Sequence, residues 1–296
     1  MASSLLLLLT AALWGFAFVA QRQGMQSLDA FSFNALRFAL GALFVRGIFF
    51  RNFQVIRPYP WKLGVVLFVA ASLQQFGIIY TTAGNAGFIT GLYVLFVPLL
   101  GHLKGQKNGR VLWLAIVLAL CGMYLMNLNS DLRMNLGNLL VLISSLFWAL
   151  HVQLVDSYSK LYPASSLAVA QFSLCGLLSA FGALLWLAFE PPISFSRYWN
   201  GVSDALVPLL YGGLISVGVA YTLQVYAQRR AHPAQAAVIM CLEGVFALIG
   251  GYLILNERLG LRSLIGAGLL FSATLILSIP KKTIDRKEPF NFGVRT

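Results

Sequence analysis

Ten apolar runs, each long enough for a helix to cross a bilayer, leave this chain few ways to fold. They lie at about 3–20, 30–50, 62–80, 84–103, 111–128, 136–155, 165–189, 205–228, 234–255 and 263–280. The runs are continuous, whereas barrel strands alternate apolar and polar residues over about ten positions. In hydrocarbon every backbone group must be satisfied within the protein, so uninterrupted runs of this length predict helices. Composition agrees. Of the 296 residues, 59% are hydrophobic and 10% charged, against about 25% charged in a soluble domain. The expected fold is an all-α integral membrane protein of ten transmembrane helices.

The formal net charge of +12 would suit a nucleic-acid binder, but the cations are not gathered on one face. They sit in the short gaps between runs and in the tail, where they act as topology signals. Fifteen Lys and Arg fall in the tail and its side's loops, five in the opposite loops, and Arg37 alone lies within a span. That bias predicts both termini in the cytoplasm of a bacterial-type inner (plasma) membrane. One miscounted span would swap every later loop, so the partition also supports an even count. The start, Met1-Ala2-Ser3-Ser4 before five leucines, lacks the basic segment of a signal peptide and reads as a retained first span. Cys121, Cys175 and Cys241 stand singly in apolar runs, which predicts small buried packing residues with neither disulfide nor metal site. No P-loop, paired metal-ligand spacing or Gly-x-Ser-x-Gly element is present, and no cofactor or enzyme activity is expected.

The chain also repeats itself. Trp14 and Trp148 are 134 positions apart, as are Arg37-Phe38 and Gln171-Phe172. This divides the sequence into a first five-helix half, 1–130, a second, 131–280, and a basic cytoplasmic tail, 281–296, expected to be disordered. Five is odd, so the second half enters the bilayer inverted relative to the first. Inverted repeats belong to secondary transporters, where exchanging the conformations of two similar halves moves the access route from one side to the other.

Three stretches carry a family resemblance: Leu13-Trp14-Gly15-Phe16-Ala17-Phe18, the segment from Thr81 to Val94 with Pro98 beyond it, and Leu242-Glu243-Gly244-Val245-Phe246-Ala247 leading to Asn256-Glu257-Arg258. The chain resembles the EamA family of the drug/metabolite transporter superfamily over almost its whole length. The resemblance implies ten helices and export of amino acids or related metabolites. Two positions depart from the family pattern. Gly244 stands where Pro usually follows the ninth-span Glu, and Glu257 has no counterpart at the end of span 4, where Gly105-Gln106 stands.

An ionisable side chain at bilayer depth costs several kcal/mol, which makes it a functional candidate. Glu243 in span 9 is either a proton- or cation-binding carboxylate or a carboxyl bonded to a neighbouring helix. Arg37 in span 2 is either a clamp for a substrate carboxylate or an arginine that snorkels or pairs structurally. Gln74, Asn85, Thr90, Tyr93, Tyr221 and Gln224 are polar residues in apolar helices and together suffice for a polar cavity, while Trp14 and Trp148 are candidate gates or walls. Gly84, Gly87 and Gly91 form a small-residue face suited to a close helix contact, and His151 is expected at the cytoplasmic interface. Glu257 and Arg258 read as structural closure of the last hairpin.

The expected function is a secondary active exporter of a small metabolite, best matched by an amino acid or similar zwitterion. It would work by alternating access, with spans 1–4 and 6–9 lining the cavity, spans 5 and 10 as scaffold, and proton coupling through Glu243 as a hypothesis. A facilitative uniporter of metabolites or drugs, or a non-transporting sensor or assembly factor, are the alternatives. The expected partners are the substrate and the lipid bilayer, without nucleic acid, and the protein is expected as a monomer or weak homodimer.

Overall fold

The structure, a computed structural model, describes residues 2–127, 135–189, 195–256 and 260–278. The loop residues Arg133, Glu190, Glu257 and Arg258 and the tail lie outside it. Among the described residues all regular structure is helical. Eight helical segments are long and apolar enough to cross a membrane, and two shorter apolar helices accompany them.

The segments follow the sequence signals closely. α1 (Ala2–Gly24) leads by a tight turn to α2 (Ala30–Ile48), whose start is fixed by Asp29. The Asp29 carboxylate accepts from Phe31 N and Ser32 N at 3.0 and 2.9 Å, satisfying donors that have no partner within the helix. α3 (Trp61–Ile79) begins just after the Pro58-Tyr59-Pro60 stretch. Thr82 caps α4 (Ala83–Gly91) by accepting from Asn85 N at 3.0 Å. α5 (Tyr93–Leu103) ends at Gly105, whose φ of +75° lets Gly105 N and Gln106 N turn back onto the carbonyls of His102 and Gly101. α6 (Arg110–Asn127) follows.

In the second half, Asn135 caps α7 (Leu136–Ser159) by accepting from Asn138 N at 2.8 Å. α8 (Ala164–Phe189) is followed by α9 (Phe195–Asp204), a short amphipathic helix. Tyr198 and Val202 of α9 pack on the Leu28, Phe33, Ala205 and Leu209 cluster, while Trp199 is exposed. Hydrophobic length alone leaves this stretch as a connection between two apolar runs. The next span comprises α10 (Leu206–Leu210), a π-helical stretch over Tyr211–Tyr221, and α11 (Thr222–Gln228). α12 (Pro233–Met240), with Pro at its first position, α13 (Glu243–Leu255) and α14 (Leu261–Ser278) complete the chain.

Two spans are broken in the middle, which hydrophobic length cannot reveal. α4 passes to α5 at Leu92 and α12 to α13 at Cys241-Leu242, and both Leu92 and Leu242 have φ −59° and ψ −14°. At each break the hydrogen bonds shorten to three-residue steps: Leu95 N to Leu92 O at 3.0 Å in one, Val245 N to Leu242 O at 2.9 Å in the other. A helix residue sits immediately after each break: Tyr93 in one span, Glu243 in the other.

Glycines set the helix crossings. A Cβ on Gly15 of α1 would collide with Phe246 Cβ and lie 2.7 Å from Glu243 O, so α1 presses directly on the start of α13. Gly87 of α4 meets Ala247 and Gly244 of α13, bearing out a close contact for that small-residue face. Gly122 and Gly266 do the same for α6 against α14, where the Ser263 hydroxyl donates to Met126 O at 3.1 Å. The core packs α2 on α8, α3 on α7 and α1 on the π-helical stretch. Cys175 and Cys241 are buried as expected; Cys121 is not, because it faces outward from α6.

Candidate functional site

Where the broken spans meet α1 and α7, the helices leave a narrow slot with a cavity volume of about 30 Å³, room for roughly one or two waters. α1 contributes Trp14, Ala17, Phe18 and Gln21; α2 contributes Arg37; α3, Gln74; the α4–α5 span, Thr90 and Tyr93. From the second half come Trp148 and Val152 of α7, Ser216, Tyr221 and Gln224 of the π-helical span, and Met240 and Glu243 flanking the second break.

Tyr221 is the aromatic centre of this slot. Its ring lies 4.6 Å from Trp14, 6.1 Å from Trp148, 6.0 Å from His151, 5.8 Å from Phe172 and 6.3 Å from Phe38, centroid to centroid. The π-helical stretch ends at Tyr221; such insertions cluster at functional positions because they re-aim side chains. Trp14 Nε1 donates to Ser216 O at 3.3 Å, tying α1 to that stretch.

Arg37 is 2% exposed. Its Nε donates to Asn34 Oδ1 at 2.9 Å, and its Cζ stands 4.9 Å from the Phe38 ring and 5.7 Å from the Phe33 ring. Among the described residues no carboxylate pairs with it and its Nη atoms make no hydrogen bond, although it lines the slot. Glu243, 3% exposed, is the other charged residue lining the slot. It opens α13, where the helix dipole favours a carboxylate. The Tyr93 hydroxyl lies beside it, near enough to interact but outside hydrogen-bonding geometry, and both Tyr93 Oη and Glu243 Oε1 are buried without a partner among the described residues. Arg37 and Glu243 do not pair with each other; Tyr221 lies within electrostatic reach of both.

Further polar atoms facing the slot are also unspent: Gln21 Oε1, Gln224 Oε1 and Trp148 Nε1. Leaving a buried polar group unpaired costs about 1–3 kcal/mol, and most proteins avoid it. Here a cation, a carboxyl, two amide oxygens, a phenol and an indole N–H line one space. Gln74, by contrast, is satisfied, donating to Thr90 Oγ1 at 2.9 Å.

The EamA-like transporter family matches residues 1–128 and 135–279. The chain belongs to that family. An uncharacterized transporter of Archaeoglobus fulgidus is 31% identical over 92% of this chain and 84% of its own length. The uncharacterized transporter YoaV of Bacillus subtilis is 23% identical over 87% of this chain and 90% of its own. A crystal structure 19% identical superposes with a TM-score of 0.73, covering 93% of this chain and 96% of that one, so the two share a fold. This EamA-like protein is therefore a multi-pass membrane transporter.

Nine of the ten residues singled out from sequence line the transporter's cavity: Trp14, Arg37, Gln74, Thr90, Tyr93, Trp148, Tyr221, Gln224 and Glu243. Asn85 does not. It is buried near the start of α4, where its backbone N–H completes the Thr82 cap, and it lies too close to that helix's end to reach the slot. His151 is not interfacial either: it is fully buried, with Nε2 2.7 Å from Gln171 Oε1. Its position near the end of the apolar run suggests the interface, but α7 continues to Ser159, and Gln171 and the Trp148 and Tyr221 rings pack against His151. Gln21 and Ser216 were missed. Gln21 falls where the apolar run had ended, and Ser216 is small and common in such helices. Span 7 supplies no lining residue; Gln171 is held by His151 instead.

Proposed function

We propose that this protein carries a small zwitterionic metabolite, in the manner of an amino acid, across the membrane by alternating access. The observation that carries the reading is the pair of buried, mutually unpaired charges in one slot. Arg37 offers two Nη groups to a carboxylate, Glu243 an oxygen to an ammonium, and the Trp14, Trp148 and Tyr221 rings hold what lies between. A carrier needs both mouths narrow at once in its occluded state, and the slot's small free space suits such a state.

Ten spans in two inverted halves complete this reading. α6 has 18 residues, about 27 Å of helix, and both it and α14 abut residues outside the described range. Support for the repeat comes from the lining itself. Trp14 and Trp148 are 134 positions apart, as are Phe18 and Val152; Gln74 and Gln224, Thr90 and Met240, and Tyr93 and Glu243 are each 150 apart. The helix breaks at Leu92 and Leu242 share that 150-residue spacing. Broken spans at equivalent places in two halves are where carriers of this kind bind substrate. The excess of cations in alternate loops supports cytoplasmic termini in a bacterial-type inner membrane. Export is the direction we propose, with Glu243 as the proton site.

The test is transport in sealed proteoliposomes with and without a pH gradient. Saturable uptake of a zwitterion that accelerates with the gradient supports proton coupling. Rates that ignore the gradient and survive Glu243→Gln would remove Glu243 from coupling.

A further inference from the structure

One helical turn beyond the cavity-lining Phe18 and Val152 stand two residues of opposite charge, Arg22 on α1 and Asp156 on α7, themselves 134 positions apart. They lie at opposite ends of the bundle. At the Arg22 end, the guanidinium donates to Ile78 O at 3.3 Å and to Thr81 O, crossing from α1 to the exit of α3. Thr81 Oγ1 donates on to Asn138 Oδ1 of α7 at 2.8 Å, so this bond chain reaches the other half. Gln21, beside Arg22, lines the slot directly below and accepts from Gln75 Nε2 through its carbonyl at 3.3 Å.

At the other end, Asp156 is 5% exposed and accepts from Lys160 Nζ at 2.8 Å. Lys104, at the end of α5, and His232, before α12, both feel its charge. One turn inward, Gln153 Nε2 donates to Val97 O at 2.9 Å, Lys104 Nζ reaches Gln153 O at 3.5 Å, and Gln228 Nε2 donates to Val152 O at 3.1 Å. Asp156 thus faces the loop before α12 as Arg22 faces the equivalent loop before α4. Neither residue touches the slot.

We infer that Arg22 and Asp156 are equivalent latches on the two mouths, so that loss of either biases the carrier open at its own end. The inference rests on the alternating-access reading. Its particular content is that one fold position serves both mouths with different chemistry: an arginine gripping helix-end carbonyls at one, a carboxylate holding Lys160 beside the Lys104–Gln153 contact at the other. Because the latches sit on opposite halves, weakening one frees its mouth and shifts the population toward the state in which the opposite mouth is closed.

Hydrogen exchange on the purified protein in nanodiscs reads both mouths together. Arg22→Ala is expected to raise exchange around 78–82 and to lower it around 104–106 and 229–232, and Asp156→Ala to do the reverse. Protection gained at the distant mouth is the diagnostic part, since simple local loosening would not produce it. A cysteine placed at Ser216, in a background with Cys121, Cys175 and Cys241 replaced, supplies a second readout in sided vesicles with an impermeant thiol reagent. The two variants should favour labelling from opposite sides. If either alanine variant misfolds, Arg22→Lys and Asp156→Asn take its place with smaller shifts of the same sign. Local loosening alone, or equal bias from both variants, overturns the latches. If the otherwise native reporter reacts from both sides while neither variant biases it, the latches fall and the carrier stands; a reporter reachable from one side in every form would sink alternating access itself.

Discussion

Arg37 and Glu243 differ from other buried polar residues here in what they leave unspent. Burying a charge without a counter-charge is strongly unfavourable; Arg37 has only Asn34 and two rings against it, and Glu243 has only the start of α13, its Oε1 without a hydrogen-bond partner among the described residues. A ligand that brings its own carboxylate to Arg37 relieves that deficit. A hydrogen bond to a charged group contributes about 1.5–3 kcal/mol, so Arg37→Gln should weaken a carboxylate substrate by roughly 10- to 150-fold, measured as Kd by calorimetry. Arg37→Lys should recover only part of this, since an ammonium cannot form the two parallel bonds of a guanidinium. For Glu243→Gln two losses are expected together, counterflow of the zwitterion and the response of transport to a pH gradient, because the proposal gives one carboxyl both the ammonium and the proton. Gln224→Leu should lower affinity without touching the pH response.

At the scale of elements, the spans were legible because hydrophobic length and cap residues act locally. In the structure Asp29, Thr82 and Asn135 cap helices, and Pro233 opens one, within a few residues of where the apolar runs begin. The breaks at Leu92 and Leu242 were not legible, because both lie in apolar sequence and arise from what crosses there. α1 presses on α13 at Gly15, and α4 meets α13 at Gly87. The π-helical stretch over Tyr211–Tyr221 and the amphipathic α9 escaped for the same reason: their geometry is set by packing on α2 and on the α1–α2 turn. The cavity residues were found because a polar side chain in an apolar run stands out. Asn85 stood out equally, and only the direction and depth of α4 separate it from Thr90. Gly15→Val tests the crossing. Overpacking of this kind costs about 1–3 kcal/mol, and it should lower Tm and substrate affinity together because it displaces the start of α13. Gly268→Ala, with open space around it, should leave both unchanged.

For the whole molecule, the arrangement separates work between helix pairs. α6 and α14 contribute nothing to the slot and pack on each other through Gly122, Gly266 and the Ser263 bond. Ser263→Ala should therefore cost about 0.6 kcal/mol of stability with unchanged substrate affinity, read by thermal unfolding and calorimetry side by side. In the proposed alternating-access cycle the moving parts are the broken spans and the two helices, α1 and α7, that carry Trp14 and Trp148 against Tyr221. Ten of the fifteen lining residues pair between the two proposed halves at spacings of 134 or 150, and the charges fall at two positions where the halves differ: Arg37 against Gln171, which lies outside the slot, and Glu243 against Tyr93. Those two substitutions make one slot of two similar halves into a site with a positive and a negative end. Counterflow in proteoliposomes across a panel of zwitterionic, anionic and cationic metabolites tests this most directly. Saturable exchange of at least one zwitterion, lost in both Arg37→Gln and Glu243→Gln while each variant still folds, is the expected result; exchange confined to molecules of a single charge, or indifferent to both substitutions, would contradict it.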